Sequence, residues 1–130
     1  MKRLGLAIVL GGALSAVGGG VHAAEPRYSR TFDRCMDAAA GVTFEMHDCL
    51  TAEIGRWDAS LNATYRQRMA SLSPSAQVQL REDERAWIKR RDAKCDRAGD
   101  DNAGGSLQVI EINDCYLAET YKRVTYLRER

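Results

Sequence analysis

Four cysteines, Cys35, Cys49, Cys95 and Cys115, limit what this chain can fold into more than any other feature. The gaps between them hold 13, 45 and 19 residues, with no Cys-x-x-Cys pair. That spacing fits no common zinc knuckle, and the absence of Cys-x-x-Cys-His argues against covalent haem. No metal or other cofactor is expected. An even number of cysteines in an exported chain reads instead as a disulfide framework. Three pairings are possible. Cys35–Cys49 and Cys95–Cys115 are the expected ones, because each ties together segments separated by one turn-rich stretch. Each bond would stabilise a small domain by about 2–4 kcal/mol, a large share of its total stability.

Export is read from the first residues. Lys2 and Arg3 precede an uncharged run from Leu4 to Val17, and Val21 and Ala23 stand at −3 and −1 of a small-residue cleavage site. The run is shorter than the roughly 20 residues that span a bilayer, and Gly18, Gly19 and Gly20 weaken it as a helix. A signal peptide over residues 1–23 and a single domain over 24–130 are therefore expected, periplasmic or secreted, with no membrane insertion after cleavage. Removing Lys2 and Arg3 leaves 17 basic residues against 18 acidic ones. Such a balance gives no general attraction to nucleic acid or acidic lipid. With 45% hydrophobic residues and no single-signed charge block, the chain does not read as disordered.

The apolar pattern is helical throughout. Phe32 to Ala40 reads as a short helix stopped by Gly41, with Thr43 as the N-cap of the next. From Met46 the apolar positions step through Leu50, Ile54, Trp57, Leu61, Tyr65 and Met69 to Leu72 by threes and fours, a helical stripe. Ser73 and Pro74 supply a cap and a first helical residue for a third element reaching to about Ala98. Its expected face carries Leu80, Trp87, Ile88 and Cys95. A loop, "GDDNAGGS", follows, and Ser106 caps a last helix whose apolar steps include Leu107, Ile110, Leu117, Tyr121 and Val124. No segment alternates like a strand. The expected fold is all-α, a small disulfide-stapled bundle of three longer helices plus a short N-terminal one.

The charged stretch "RAWIKRRDAKC", Arg85 to Cys95, could suggest a nucleic-acid patch or a membrane-surface helix. On a helix, however, Trp87, Arg91 and Cys95 share one face. Residues 81–92 hold five basic and four acidic side chains, far less one-sided than a nucleic-acid site. The stretch reads as a packed helix that anchors a tryptophan and ends on a disulfide.

These residues also carry a family resemblance. Asp58, Leu61, Asn62 and Tyr65 fit a "D-x-x-L-N-x-x-Y" helix. Ala86, Trp87, Arg91, Asp92 and Cys95 fit "Q-x-A-W-x-x-x-R-D-x-x-C", with Arg85 where glutamine is common, and "GGS" (Gly104 to Ser106) precedes the final Cys115. The pattern resembles the LprI-like (DUF1311) family of exported bacterial proteins, named for a mycobacterial lysozyme inhibitor. The resemblance implies a helical, disulfide-bonded periplasmic or secreted domain in which Trp57, Asp58, Asn62, Tyr65, Trp87, Arg91 and Asp92 determine the fold. It further implies a protein partner, a lysozyme or another peptidoglycan hydrolase. A structural or envelope-stress module with no enzyme target is the alternative.

Nothing in the residues themselves points to catalysis. His47, the one histidine beyond the leader, adjoins Asp48, and helix neighbours point apart and make no base-and-orienter pair. Asp58 and Asn62, one turn apart, are expected to bond a neighbouring helix end or Arg91. The sequon at Asn62 falls mid-helix and is discounted. Trp57 and Trp87 sit on apolar stripes and read as core. The candidate binding element is the connector Gly99 to Ser106, with Asp96, Asp100, Asp101 and Ser106. Closed by Cys95–Cys115, it would lose little freedom on binding, and its acidity would complement a basic lysozyme. The competing reading makes it a flexible connector with good turn residues.

Overall fold

The computed structural model describes residues 26–130, so the leader and its cleavage site lie outside the described residues. Four α-helices follow one another: α1 (Arg30–Ala39), α2 (Thr43–Ala70), α3 (Pro74–Cys95) and α4 (Leu107–Arg128). The described residues contain no strand. The all-α expectation holds, with three long helices and one short.

Local chemistry sets most helix ends. Ser29 caps α1, its Oγ accepting from the Phe32 amide at 3.1 Å. Two consecutive left-handed residues, Ala40 at φ 46° and Gly41 at φ 85°, then turn the chain. Glycine suits that region and alanine does not, so the turn stores strain at Ala40. Ser73 caps α3 with Pro74 in its first turn, as the sequence indicates. Gln77 Nε2 reaches back to the Met69 and Leu72 carbonyls at 2.9 and 3.3 Å, satisfying the end of α2.

Other ends differ from expectation. Thr43 is the first residue of α2 and no cap; Val42 occupies that position without a side-chain bond. Ser106 likewise makes no cap bond, and Gln108 Oε1 accepts from the Gly104 amide at 2.9 Å in the same region. The third helix ends at Cys95 and not near Ala98, because residues 96–98 tighten into turns, with Ala98 N bonding Cys95 O at 3.0 Å.

The long helices run up, down and up. Arg128 Nη2 on α4 meets Ser60 Oγ on α2 at 2.9 Å, and Leu117 packs with Leu50, so α2 and α4 are parallel. Lys94 meets Glu119 at 2.7 Å and Glu84 meets Arg123 at 2.8 Å, so α3 runs antiparallel to α4. The start of α2, the end of α3 and the start of α4 therefore share one pole. α2 and α4 form the main packed pair, α1 lies on α2, and α3 lies on α4.

Two apolar clusters fill the interior. Phe32, Ala39, Cys49, Leu50 and Leu117 form the one nearer the shared pole. Leu61, Trp87, Val124 and Leu127 form the other, and Trp57 packs against both. Both expected disulfides are present, Cys35–Cys49 and Cys95–Cys115, with Cα separations of 5.7 and 5.4 Å. They lock α1 to α2 and α3 to α4 at the same pole.

Candidate functional site

The connector between α3 and α4 is an ordered element. Its backbone closes a chain of tight turns, including Asp100 N to Arg97 O at 3.1 Å, Asn102 N to Gly99 O at 3.1 Å and Gly105 N to Asn102 O at 2.8 Å. Residues Asp100–Asn102 make one turn of 3-10 helix. Gly99 is buried against α4, where a Cβ would come within 2.7 Å of the Gln108 carbonyl oxygen and side chain, so only glycine fits. Asn102 Nδ2 donates to Glu111 Oε1 at 2.7 Å, and Gly104 takes φ 77° before bonding Gln108. The connector is thus pinned to the first turns of α4.

The four residues picked out for binding all fall here. Asp96 accepts from the Tyr116 hydroxyl at 3.2 Å, while Asp100, Asp101 and Ser106 are exposed. Asp100 and Asp101 thus present two carboxylates on a fixed backbone.

Beside the connector lies an apolar surface. Phe44 is 73% exposed, Val42 51%, Leu107 50% and Val109 39%. Thr43, Phe44, His47, Ser106 and Val109 line a shallow depression of about 470 Å³. The sequence pattern placed Leu107 on the apolar face of α4, but it projects into solvent. It stands one turn before Ile110, which is the position that reaches the first cluster. Phe44 escapes sequence reasoning because it precedes the stripe that begins at Met46. The only available signal was its lack of any apolar partner at helical spacing.

Two buried polar nodes hold the scaffold. Glu53 is fully buried on α2 and accepts four bonds: from the Ser29 amide (2.8 Å) and Trp57 Nε1 (3.0 Å) at Oε1, and from Ser29 Oγ (2.7 Å) and Arg56 Nε (2.6 Å) at Oε2. Burial alone would raise its pKa, but these donors outweigh it and hold the carboxyl below its ordinary value. The segment before α1 is thereby fastened to α2. Tyr28 stacks edge-on against Phe32 and Tyr121. Burial first, then the nearby Asp114 carboxylate, pushes its phenol up to about 12.

Arg123 makes the second node. Its guanidinium donates to Glu84 Oε2 at 2.8 Å and to Asp83 Oδ2 at 2.6 Å, while lying 5.4 Å from the Trp87 ring and 4.8 Å from Tyr126. Arg91 stacks beside it, 5.0 Å from Trp87 and 5.1 Å from Tyr116. Glu53 and Arg123 both lie on or beside apolar stripes, which was the sequence signal for them.

The resemblance residues divide. Trp87 is buried in the second cluster and Tyr65 packs on it, while Trp57 is half-buried and bonded to Glu53. Arg91 bonds its own neighbour Asp92 at 3.0 and 2.9 Å, and no bond joins it to Asp58. Burial raises the Asp58 pKa, opposed by the Arg91 charge. Asn62 is exposed at a groove shared with Tyr65, Arg81 and Ile88. His47 Nδ1 stands 3.6 Å from Asp48 Oδ1 at the surface, longer than a hydrogen bond. Among the described residues no group of His, Cys, Asp and Glu is placed to hold a metal ion, and no helix is long and apolar enough to cross a membrane.

Fold and site together define a disulfide-stapled helical domain that displays a rigid acidic connector beside exposed apolar side chains. Residues 35–127 match the family model described as lysozyme inhibitor LprI, and the chain belongs to that family. An uncharacterized protein of Rhizobium meliloti (strain 1021) is 30% identical over 98 residues, covering 65% of this chain and 70% of that protein. No solved structure matches the chain.

Proposed function

We propose that this protein is exported through a signal peptide spanning residues 1–23 and acts, as the domain 24–130, by binding and inhibiting a lysozyme or a related cell-wall hydrolase. The observation that carries this reading is membership of the inhibitor family across the disulfide-bonded domain. The geometry supports it. A connector already ordered by Gly99, Asn102 and Gln108 gives up little entropy when it docks, the usual requirement of a protein inhibitor. Its exposed Asp100 and Asp101 suit a basic enzyme, and charge pairing of that kind speeds encounter. The protein acts by occlusion and performs no reaction of its own.

Titrating the purified, disulfide-intact protein into c-, g- and i-type lysozymes tests this reading. Progressive loss of lysis of at least one enzyme with rising protein is expected. Full activity of all three at micromolar excess would remove the inhibitor role.

A further inference from the structure

The charges of this protein are balanced in number but not in place. The two segments closed by disulfides, 35–49 and 95–115, contain eight acidic residues and a single lysine or arginine, Arg97. The remaining residues from 24 onward hold ten acidic and 16 basic ones. Both closed segments meet at one pole, where Thr43, Phe44 and His47 of the first face Ser106 and Val109 of the second.

Helix electrostatics explains only part of this. Glu45, in the first turn of α2, is favoured by the helix dipole. Asp37 in the last turn of α1 and Asp96 at the end of α3 stand where the dipole opposes a carboxylate. Asp96 gains the Tyr116 hydroxyl in return, whereas no side-chain hydrogen bond or ion pair among the described residues offsets the placing of Asp37. The same pole carries four of the six exposed large apolar side chains among the described residues: Val42, Phe44, Leu107 and Val109. Phe44 and Val109 line one depression, with Val42 and Leu107 each two residues away along the chain. Such clustering marks an interaction surface, whereas scattered exposure would not.

We propose that this pole is the docking face for a cationic protein partner, with Phe44 inserting as the central anchor and the carboxylates of Asp48, Asp100 and Asp101 engaging basic side chains around it. This rests on the binding function proposed above and names the surface that performs it. Phe44 has the character of an interface hot spot, an aromatic ring bordered by groups that can exclude water around it. Asp48 is one helical turn from Phe44, on the same face, and is exposed. Asp100 and Asp101 are exposed on the same ordered connector as Ser106, which lines the depression. The acidic excess selects a basic partner. A second copy of this chain, offering its more basic remainder, is the competing occupant.

The test pairs binding with lysis. Affinity for immobilised c-, g- and i-type lysozymes would be measured for wild type, Phe44→Ala, the triple variant Asp48→Asn/Asp100→Asn/Asp101→Asn, and Ile88→Ala as an exposed apolar control on α3. For a lysozyme that binds, Phe44→Ala should raise Kd about tenfold or more. The triple variant should slow association about tenfold and flatten its salt dependence. Ile88→Ala should bind as wild type. Unchanged thermal melts would confirm that each variant folds. Binding and inhibition retained by both pole variants would overturn the docking face and leave the inhibitor role standing. Binding lost with Phe44→Ala, for a lysozyme whose lysis is never inhibited, would support the face and remove the inhibitor role. No binding to any of the three would overturn both. Concentration-dependent dimers in sedimentation, abolished by Phe44→Ala, would assign the face to a second copy and overturn the proposal.

Discussion

At the pole where Cys35–Cys49 and Cys95–Cys115 lie, the chain is held covalently and its surface is acidic and partly apolar. Around Trp87, Val124 and Leu127 no cross-link exists, and the helices are held by the Arg123 node and its stacked rings. The contrast shows where each half can place unfavourable groups. A pole clamped by two disulfides tolerates exposed Phe44 and carboxylates at helix C-termini, because its stability does not depend on that surface. The other half has no such reserve, and its buried cation, Arg123, is paired with Asp83 and Glu84.

This contrast can be broken or sharpened by experiment. Reducing both disulfides should cost the most, about 2–4 kcal/mol for each bond, read as a lower midpoint in denaturant with and without reductant. Arg123→Ala should cost about 3 kcal/mol, since it strands the mostly buried Glu84 carboxylate, although the more exposed Asp83 softens the loss. If reduction cost less than Arg123→Ala, the assignment of the two halves would be reversed.

Glu53→Gln should cost about 1–2 kcal/mol by disrupting a saturated carboxylate. It should also flatten the acid limb of the stability profile. Because its folded pKa is lowered, Glu53 contributes stability above the ordinary carboxylate range, and that contribution is lost as pH falls through the folded value. Asp58→Asn should act in the opposite sense. Its pKa is raised mainly by burial, so the charged form is disfavoured in the fold at neutral pH, and removing the charge should raise the melting temperature slightly there. Phe44→Ala should have the smallest effect, within about 0.5 kcal/mol, because the side chain is solvent-exposed. A larger loss would mean that Phe44 supports the fold and is not reserved for a partner.

Much of this was legible from local patterns. The cysteine spacing indicated both pairings, Ser73 and Pro74 marked a real helix start, and the Trp87–Arg91–Cys95 face proved to be packed. What escaped depends on contacts between distant residues. Glu53 becomes a node only because Ser29 folds back 24 residues away, and Arg123 only because Asp83 and Glu84 reach it from α3. The rigidity of the connector was equally hidden. "GDDNAGGS" has the composition of a slack loop, and its order comes from Gly99 lying against Gln108 and from Asn102 bonding Glu111. Phe44 was missed because sequence patterns locate side chains that pack, and this one does not.

Hydrogen–deuterium exchange on the protein with and without a bound c-type lysozyme tests the central claim most directly. Slowed exchange confined to residues 42–48 and 99–109 is the result expected of a stapled pole that serves as the binding face. Protection centred on α3, or none in a complex that nevertheless inhibits lysis, would contradict it.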